Sequence, residues 1–150
     1  MDNKIGTAKS TASVLSAELR ILIGKFCRKF KKESHMGDFS WSQISVLLRL
    51  EREGPGTVTA LAKAEGVRPQ SLGATISSLE AEGLITSSPD PEDGRQTILD
   101  ITDQCRENIR SGRAAKEDWL YRAVNTALTD KEQEKLLESL DILKRVVNVK

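Results

Sequence analysis

The 150-residue sequence lacks the features of membrane, secreted and disulfide-bonded proteins. No run of about 18 apolar residues is present, so we expect no transmembrane helix and no membrane partner. The first twenty residues contain no apolar segment of the kind that signal peptides carry. The two cysteines, Cys27 and Cys105, are far apart and match no disulfide or metal-binding pattern. These absences predict a cytoplasmic protein with reduced thiols.

Residues that perform chemistry are also sparse. His35 is the only histidine, and no Ser/Cys–His–acid set, phosphate-binding glycine loop or metal-ligand spacing occurs. We therefore expect no catalytic residues, no metal, no cofactor and no enzymatic activity.

The formal net charge of +1 does not by itself indicate a nucleic-acid partner, but the charges are unevenly distributed. Residues 1–39 carry eight Lys/Arg against four Asp/Glu, and residues 102–150 carry ten against nine. Residues 40–101 carry only five Lys/Arg against nine Asp/Glu. This acidic middle segment is unfavourable for DNA binding, because affinity for DNA depends heavily on cations that contact phosphates.

Aromatic residues make up only 4% of the chain and helix formers dominate, so the composition predicts a mainly α fold. Apolar residues recur every three or four positions from Leu15 to Phe30, which indicates a long amphipathic first helix. Cap residues predict where the later helices begin. These starts are Ser40 with Gln43, Thr57, Pro69, Thr102, and Thr129 with Glu132.

The short helix after Thr57 should end at Gly66, and the helix from Pro69 should end at Gly83. Residues 84–86 and 96–101 are typical of strands, and the turn residues 89–94 separate them. We predict a winged helix-turn-helix core with a two-stranded β-hairpin wing over residues 40–101. A flexible tail at 1–9 and helical dimerisation regions at 10–39 and 102–150 should flank it.

The stretch from Ser45 to Thr102 resembles the MarR family of bacterial regulators. The resemblance depends on Glu53-Gly54-Pro55, Leu61-Ala62, residues 66–71, residues 79–84 and the wing residues 89–97. It implies a homodimer with interlaced first and last helices that binds a pseudo-palindromic operator in double-stranded DNA. It also implies a transcriptional repressor that a small aromatic or anionic effector releases from DNA.

The helix from Pro69 is the expected recognition helix. If Leu72, Ile76 and Leu79 face inward, the helical period turns Gln70 and Ala74 outward. Glutamine can pair with adenine in the major groove, and a serine near the helix start can bond a base edge or a phosphate. Residues 69–89 contain no Lys or Arg, so the candidate cations are few. The alternative interpretation of this small, polar face is an ordinary solvated helix surface.

In the wing, the resemblance implies that Arg95 enters the minor groove while Asp93 holds its guanidinium group. On a strand leaving the tip, the two side chains would project from one face. The alternative is a solvated tip with an incidental ion pair. The predicted DNA-binding residues are Lys63, Arg68, Gln70, Ser71, Ala74, Thr75, Asp93 and Arg95.

Four residues are candidates for an effector crevice: Phe26, Phe30, His35 and Trp41. Ordinary core packing is the alternative for the aromatic residues, and a surface position is the alternative for His35. The competing function for the whole chain is a winged-helix protein–protein interaction module without a DNA role, which the acidic middle segment favours.

Overall fold

The computed structural model describes residues 10–34, 36 and 38–150, and it contains six helices and a three-stranded antiparallel sheet in that part of the chain. The elements follow the order α1 (Thr11–Glu33), α2 (Trp41–Glu53), β1 (Gly56–Thr57), α3 (Val58–Glu65), α4 (Pro69–Ala81), β2 (Ile85–Pro89), β3 (Thr97–Ile101), α5 (Asp103–Ala127) and α6 (Asp130–Val147). The predicted tail, residues 1–9, lies outside the described residues.

Local signals in the sequence set the helix boundaries, and the predicted starts are confirmed. Ser40 and Gln43 form a capping box before α2, and Thr129 and Glu132 form another before α6. The Thr57 hydroxyl accepts a hydrogen bond from the Ala60 N–H at the start of α3. Gly66 ends α3 in the left-handed conformation, with φ of 69°, which glycine adopts without a steric penalty.

The sheet has one strand more than predicted. Gly56 and Thr57 form β1 and pair with Leu99 and Ile98 of β3, although the sequence indicates only a turn at this point. A two-residue strand has no periodicity of its own and depends on a partner some forty positions away. The hairpin itself is confirmed, and β2 extends to Pro89, three residues beyond the predicted strand.

The core lies between α2, α3, α4, the sheet and the first half of α5. Leu47, Leu79 and Leu99 are fully buried at its centre. Leu72, Ile76 and Leu79 all face inward, as the α4 pattern predicts. Cys105 and Ile109 bring the start of α5 into the same cluster.

The two terminal helices α1 and α6 contain no buried residue within one chain. The sequence pattern predicts burial of Leu136, Leu140, Leu143 and Val147, yet Leu136 is 47% exposed and Val147 is 82% exposed. No other part of the described chain covers this face of α6, so the burial of these residues stays a prediction for the expected dimer. Val14, Leu15, Leu22 and Ile23 are exposed on α1 in the same way.

The end of α1 packs closely against the middle of α5. Phe26 and Phe30 pack edge-to-face on Trp119, with ring centroids 6.3 and 5.9 Å away. Further along, Gly112 is buried against Ser34, where an added Cβ would lie 3.0 Å from the Ser34 carbonyl oxygen. The small residue therefore permits a close helix crossing.

A matched pair of glycine substitutions tests this crossing. Gly73→Ala in α4 meets no atom within 4 Å and should stabilise the protein by about 0.5–1 kcal/mol through helix propensity. Gly112→Ala gains the same propensity but crowds the Ser34 backbone, so we expect a net loss of about 1–2 kcal/mol. Urea unfolding at one protein concentration measures both variants. Equal stabilisation by the two substitutions would contradict the close approach.

Candidate nucleic-acid interface

Helices α3 and α4 form a helix-turn-helix. The chain turns at Gly66, where the Val67 N–H donates to the Ala62 carbonyl oxygen at 3.0 Å, and α4 then begins with Pro69 at its first position. Leu61 and Ala62 of α3 and Leu72 of α4 are buried in the core. The opposite face of α4 is consequently directed away from the core.

This outward face of α4 is small and polar. Gln70, Ser71 and Ala74 are exposed, whereas Thr75 is partly buried. Ser78 flanks the face, and its hydroxyl accepts a hydrogen bond from the Gln43 side-chain amide at 3.0 Å. A helix with such short side chains can bring its backbone close to the base edges of a major groove.

The start of α4 differs from the starts of the other helices. Side-chain hydroxyls of serine or threonine cap each of the other five helices of the described chain. At α4 the capping position is Arg68, whose side chain makes no cap hydrogen bond. Pro69 has no N–H, and the Ser71 N–H donates to the Arg68 carbonyl oxygen at 2.9 Å, so in the first turn the Gln70 N–H and the positive end of the helix dipole are available to an anion such as a phosphate.

The charges around the helix-turn-helix are more favourable than the acidic total for residues 40–101 suggests. Lys63 and Arg68 are exposed, and neither is paired with an acid in the described part of the chain. Glu65 is the only acid between residues 58 and 79, and its side chain is 13% exposed. Residues 58–79 thus present two cations and no exposed acid.

Glu65 is held inward by α2. Its carboxylate accepts hydrogen bonds from the Arg49 guanidinium and from the Ser45 hydroxyl, the latter at 2.7 Å. Burial raises the pKa of Glu65, but these hydrogen bonds outweigh burial and leave the pKa below its ordinary value. The carboxylate therefore stays ionised, and it neutralises Arg49 instead of facing a ligand.

Other acids of this segment are engaged in the same way. Glu51 pairs with Arg113 of α5 at 3.3 Å, and Asp100 pairs with Arg106 at 3.0 Å. Glu53 pairs with Arg49 at 2.9 Å. Four of the nine acids between residues 40 and 101, counting Glu65, are thus held in ion pairs. A count of formal charges overstates the negative field near α4.

The wing tip spans residues 90–96. Asp90 and Asp93 shape it: the Asp90 carboxylate accepts the Glu92 N–H at 2.9 Å, and the Asp93 carboxylate accepts the Arg95 N–H at 3.1 Å. Asp93 therefore binds the Arg95 backbone, and no ion pair to the guanidinium is formed. The predicted placement of both residues on one strand face is also wrong, because both lie in the tip turn before Thr97. The Arg95 side chain is exposed.

A cavity of about 230 Å³ lies where α1, α2 and α5 meet. Its apolar wall includes Phe30, Met36, Trp41, Ile44 and Ile109. Three cationic residues, Lys31, Arg113 and Lys116, also line it. Aromatic walls combined with cations suit a small aromatic anion.

Two of the four predicted effector residues, Phe30 and Trp41, line this cavity. Phe26 does not, because its ring packs on Phe30 and Trp119. His35 lies outside the described residues. Sequence reasoning missed the three cations. Gly112, Arg113 and Lys116 share one face of α5 at helical spacing, and this signal could have indicated them.

The cysteines occupy different environments. Cys105 is buried in the core, and burial raises the pKa of its thiol to about 11, so it remains protonated at neutral pH. Cys27 is partly buried and lines the cavity.

Among the described residues, no three metal-ligating side chains are grouped closely enough to hold a metal ion. No helix in the same part of the chain is both long and apolar enough to cross a membrane.

The helix-turn-helix, the exposed face of α4 and the adjoining hairpin define a winged helix-turn-helix DNA-binding protein. Residues 39–97 match the sequence profile of the MarR family. An HTH-type transcriptional regulator of Mycobacterium bovis is 31% identical over 134 residues, which cover 89% of this chain and 93% of the relative. A Mycobacterium leprae HTH-type regulator is 32% identical over 117 residues, which cover 78% of this chain and 82% of the relative. The chain belongs to the MarR family of transcriptional regulators.

Solved structures agree with this assignment. A transcriptional regulator protein from Pseudomonas aeruginosa PA01 is 28% identical, with a TM-score of 0.80 over 95% of this chain and 100% of that one. A Staphylococcus aureus MepR variant bound to an oligodeoxyribonucleotide is 18% identical, with a TM-score of 0.71 over 93% of this chain and 100% of that one. The second likeness concerns the fold alone.

Proposed function

We propose that the protein is a homodimeric repressor that binds a pseudo-palindromic operator and leaves it when a small aromatic anion binds. The main support for DNA binding is the exposed surface of residues 58–79. It combines an outward polar helix face, an uncapped helix start and two cations without an exposed acid. The DNA complex of the MepR variant, which shares the fold, supports this mode of binding.

The residues of this surface have distinct roles in the proposal. Gln70 and Ser71 contact base edges at the start of α4, while Ala74 and Thr75 permit a close approach to the groove. Lys63 and Arg68 contact phosphates and fix the register. Arg95 enters the minor groove, and Asp93 holds the tip turn that presents it.

The dimer is proposed from the uncovered apolar faces of α1 and α6. Exposed large apolar residues recur along both helices, which is unusual for a monomeric surface. A two-fold arrangement would bury both faces and set two α4 helices about one helical turn of DNA apart.

The effector part is proposed from the cavity between α1, α2 and α5. Phe30 and Trp41 would contact the ring of an aromatic anion, and Lys31 and Lys116 would contact its charge, while Arg113 already pairs with Glu51. The cavity also touches Ser34 and Gly112, where the end of α1 meets the middle of α5. A ligand here can therefore bias the relative placement of the two DNA-binding surfaces.

Two variants separate base contacts from charge contacts. Gln70→Ala should cost about 1–3 kcal/mol on a selected duplex and relax base choice at one position per half-site. Arg95→Ala should weaken binding to all duplexes and lower the salt dependence by about one charge per subunit. Fluorescence anisotropy on specific and scrambled duplexes at several salt concentrations measures both effects.

Gln104→Ala and Lys131→Ala are matched controls, because both side chains are exposed on other helices. If neither Gln70→Ala nor Arg95→Ala changes the affinity of a protein that binds DNA, then α4 and the wing are misassigned. If the native protein binds no duplex at low salt, the interaction-module alternative is favoured instead.

A pair of charge-introducing substitutions tests the dimer. Leu136→Glu together with Leu140→Glu should yield monomers or aggregates, because like charges would replace the apolar stripe of α6. Glu138→Lys, on the opposite side of that helix, should leave the association state unchanged. Sedimentation equilibrium gives the masses. A folded native monomer at micromolar concentration would refute the dimer.

The effector is tested with benzoate and its neutral analogue benzyl alcohol. In a Trp119→Phe background Trp41 is the sole tryptophan and reports on the cavity. Benzoate should alter Trp41 emission and reduce DNA affinity, and Lys116→Gln should weaken benzoate binding about 5- to 10-fold. Lys135→Gln on α6 is the control. Equal responses to benzoate and benzyl alcohol, or unchanged binding in Lys116→Gln, would contradict an anion-selective site.

A further inference from the structure

We propose that the basic end of α1, comprising Lys25, Arg28, Lys29, Lys31 and Lys32, is a second DNA-contacting surface that binds the phosphate backbone beside the recognition helix. The inference depends on the proposed DNA-binding function and extends it to a region outside the winged helix. We refer to these five residues as the basic surface.

The basic surface is dense in charge and lacks acidic partners. Five cations occur between residues 25 and 33, together with a single acid, Glu33. None of the five forms an ion pair with any acid that the structure describes. By contrast, Arg49, Arg106 and Arg113 are each held by a carboxylate. Clustered, uncompensated cations repel one another and favour a polyanionic partner.

Two of the lysines are positioned by aromatic rings. The Lys29 ammonium lies 5.9 Å from the centroid of the Trp119 ring, and the Lys31 ammonium lies 5.7 Å from that of Trp41. A cation–π contact orients the side chain but does not cancel its charge. The ammonium groups therefore remain able to contact an external anion.

The basic surface is linked through short contacts to α4. Lys31 lies over Trp41, the first residue of α2. Two residues later, Gln43 donates its side-chain hydrogen bond to Ser78 of α4 at 3.0 Å. One cation of the basic surface, Lys31, is thus connected through the start of α2 to the C-terminal half of α4.

The recognition helix itself needs such a contribution. It carries no Lys or Arg, and the winged region offers only Lys63, Arg68 and Arg95 as unpaired cations in the described chain. Proteins that bind duplex DNA commonly make about 6–10 phosphate contacts, and much of the affinity comes from counterion release. Because Lys31 also lines the effector cavity, the other four residues of the basic surface would raise the number of available cations from three to seven per subunit.

DNA fits the exposed chemistry better than an acidic protein does. Between residues 25 and 33, the exposed side chains are Lys25, Arg28, Lys29 and Lys32, all cationic. The aromatic side chains of this segment, Phe26 and Phe30, are partly buried against Trp119. Protein interfaces gain most of their affinity from buried aromatic or apolar anchors, whereas a phosphate backbone requires only charge and hydrogen bonds.

The test is a charge-removal variant with a matched control. Lys25→Gln, Arg28→Gln and Lys32→Gln together remove three cations that neither line the cavity nor contact a tryptophan. Lys131→Gln, Lys135→Gln and Arg145→Gln remove the same charge from the exposed surface of α6. The affinity of the 150-residue protein for specific and scrambled duplexes is measured by anisotropy over a range of salt concentrations.

The logarithm of the DNA association constant falls linearly with the logarithm of the salt concentration. We expect the α1 variant to make this slope less steep by about two to three per subunit, equally for both duplexes. The α6 control should keep the native slope. Lys25→Arg with Lys32→Arg should also keep it, which separates loss of charge from a disturbed helix. Thermal unfolding followed by circular dichroism confirms that each variant is folded.

The experiment separates failure of this inference from failure of the proposed DNA-binding function. A native protein that binds DNA while the α1 variant keeps the native slope would overturn this inference alone. A native protein that binds no duplex would overturn the proposed function and this inference with it. If the α1 variant keeps its DNA slope but loses retention on poly-glutamate, the surface serves an acidic protein and the DNA assignment is wrong.

Discussion

The joint burial of Leu47, Leu79 and Leu99 determines which surfaces the winged region presents. These residues come from α2, α4 and β3, and each is fully excluded from solvent. Burial of a leucine side chain contributes about 1.5–3 kcal/mol, so rotation of α4 about its axis would lose several such contributions at once. The face with Gln70 and Ala74 is exposed because the opposite face is committed to the core. Leu99 anchors the hairpin to the same point and thereby positions the wing relative to α4.

Local chemistry made much of this arrangement predictable. Hydroxyl caps, Pro69 and Gly66 act within a few residues of themselves, so they can be recognised without knowledge of the fold. Strand β1 could not be predicted, because Gly56 and Thr57 become a strand only through pairing with β3. The same limit applies to Phe26, whose periodic spacing fits a cavity lining or a helix contact equally well. Only the position of Trp119 on α5 shows that Phe26 packs between α1 and α5.

The acidic middle segment shows why a sum of formal charges is a poor guide to a binding surface. The fold places Glu65 beside Arg49 and brings Arg106 and Arg113 of α5 to Asp100 and Glu51. Arg106 and Arg113 lie outside residues 40–101, and Arg49 lies on α2, away from the recognition surface. A charge count over the sequence segment therefore does not reveal which acids these arginines pair with. The two charges of each pair lie about 3 Å apart. A ligand that is farther away than the Debye length, about 8 Å in physiological salt, therefore experiences almost no net charge from the pair. The unpaired charges then dominate: beside the start of α4 they are the cations Lys63 and Arg68, whereas Glu80 and Glu82 lie at its other end.

Helix α5 connects the parts of the molecule that a regulator must couple. Its first half places Cys105 and Ile109 in the winged core, while Tyr121 near its other end is 72% exposed. Between them, Gly112 meets Ser34 at the end of α1, beside the cavity that Arg113 and Lys116 line. Backbone packs closely on backbone at this contact, so the proposed ligand in the cavity would act where α1 and α5 are held together. In the proposed dimer, the operator would require half-sites at a fixed helical spacing, so a small rotation about this contact would disfavour simultaneous docking of the two α4 helices.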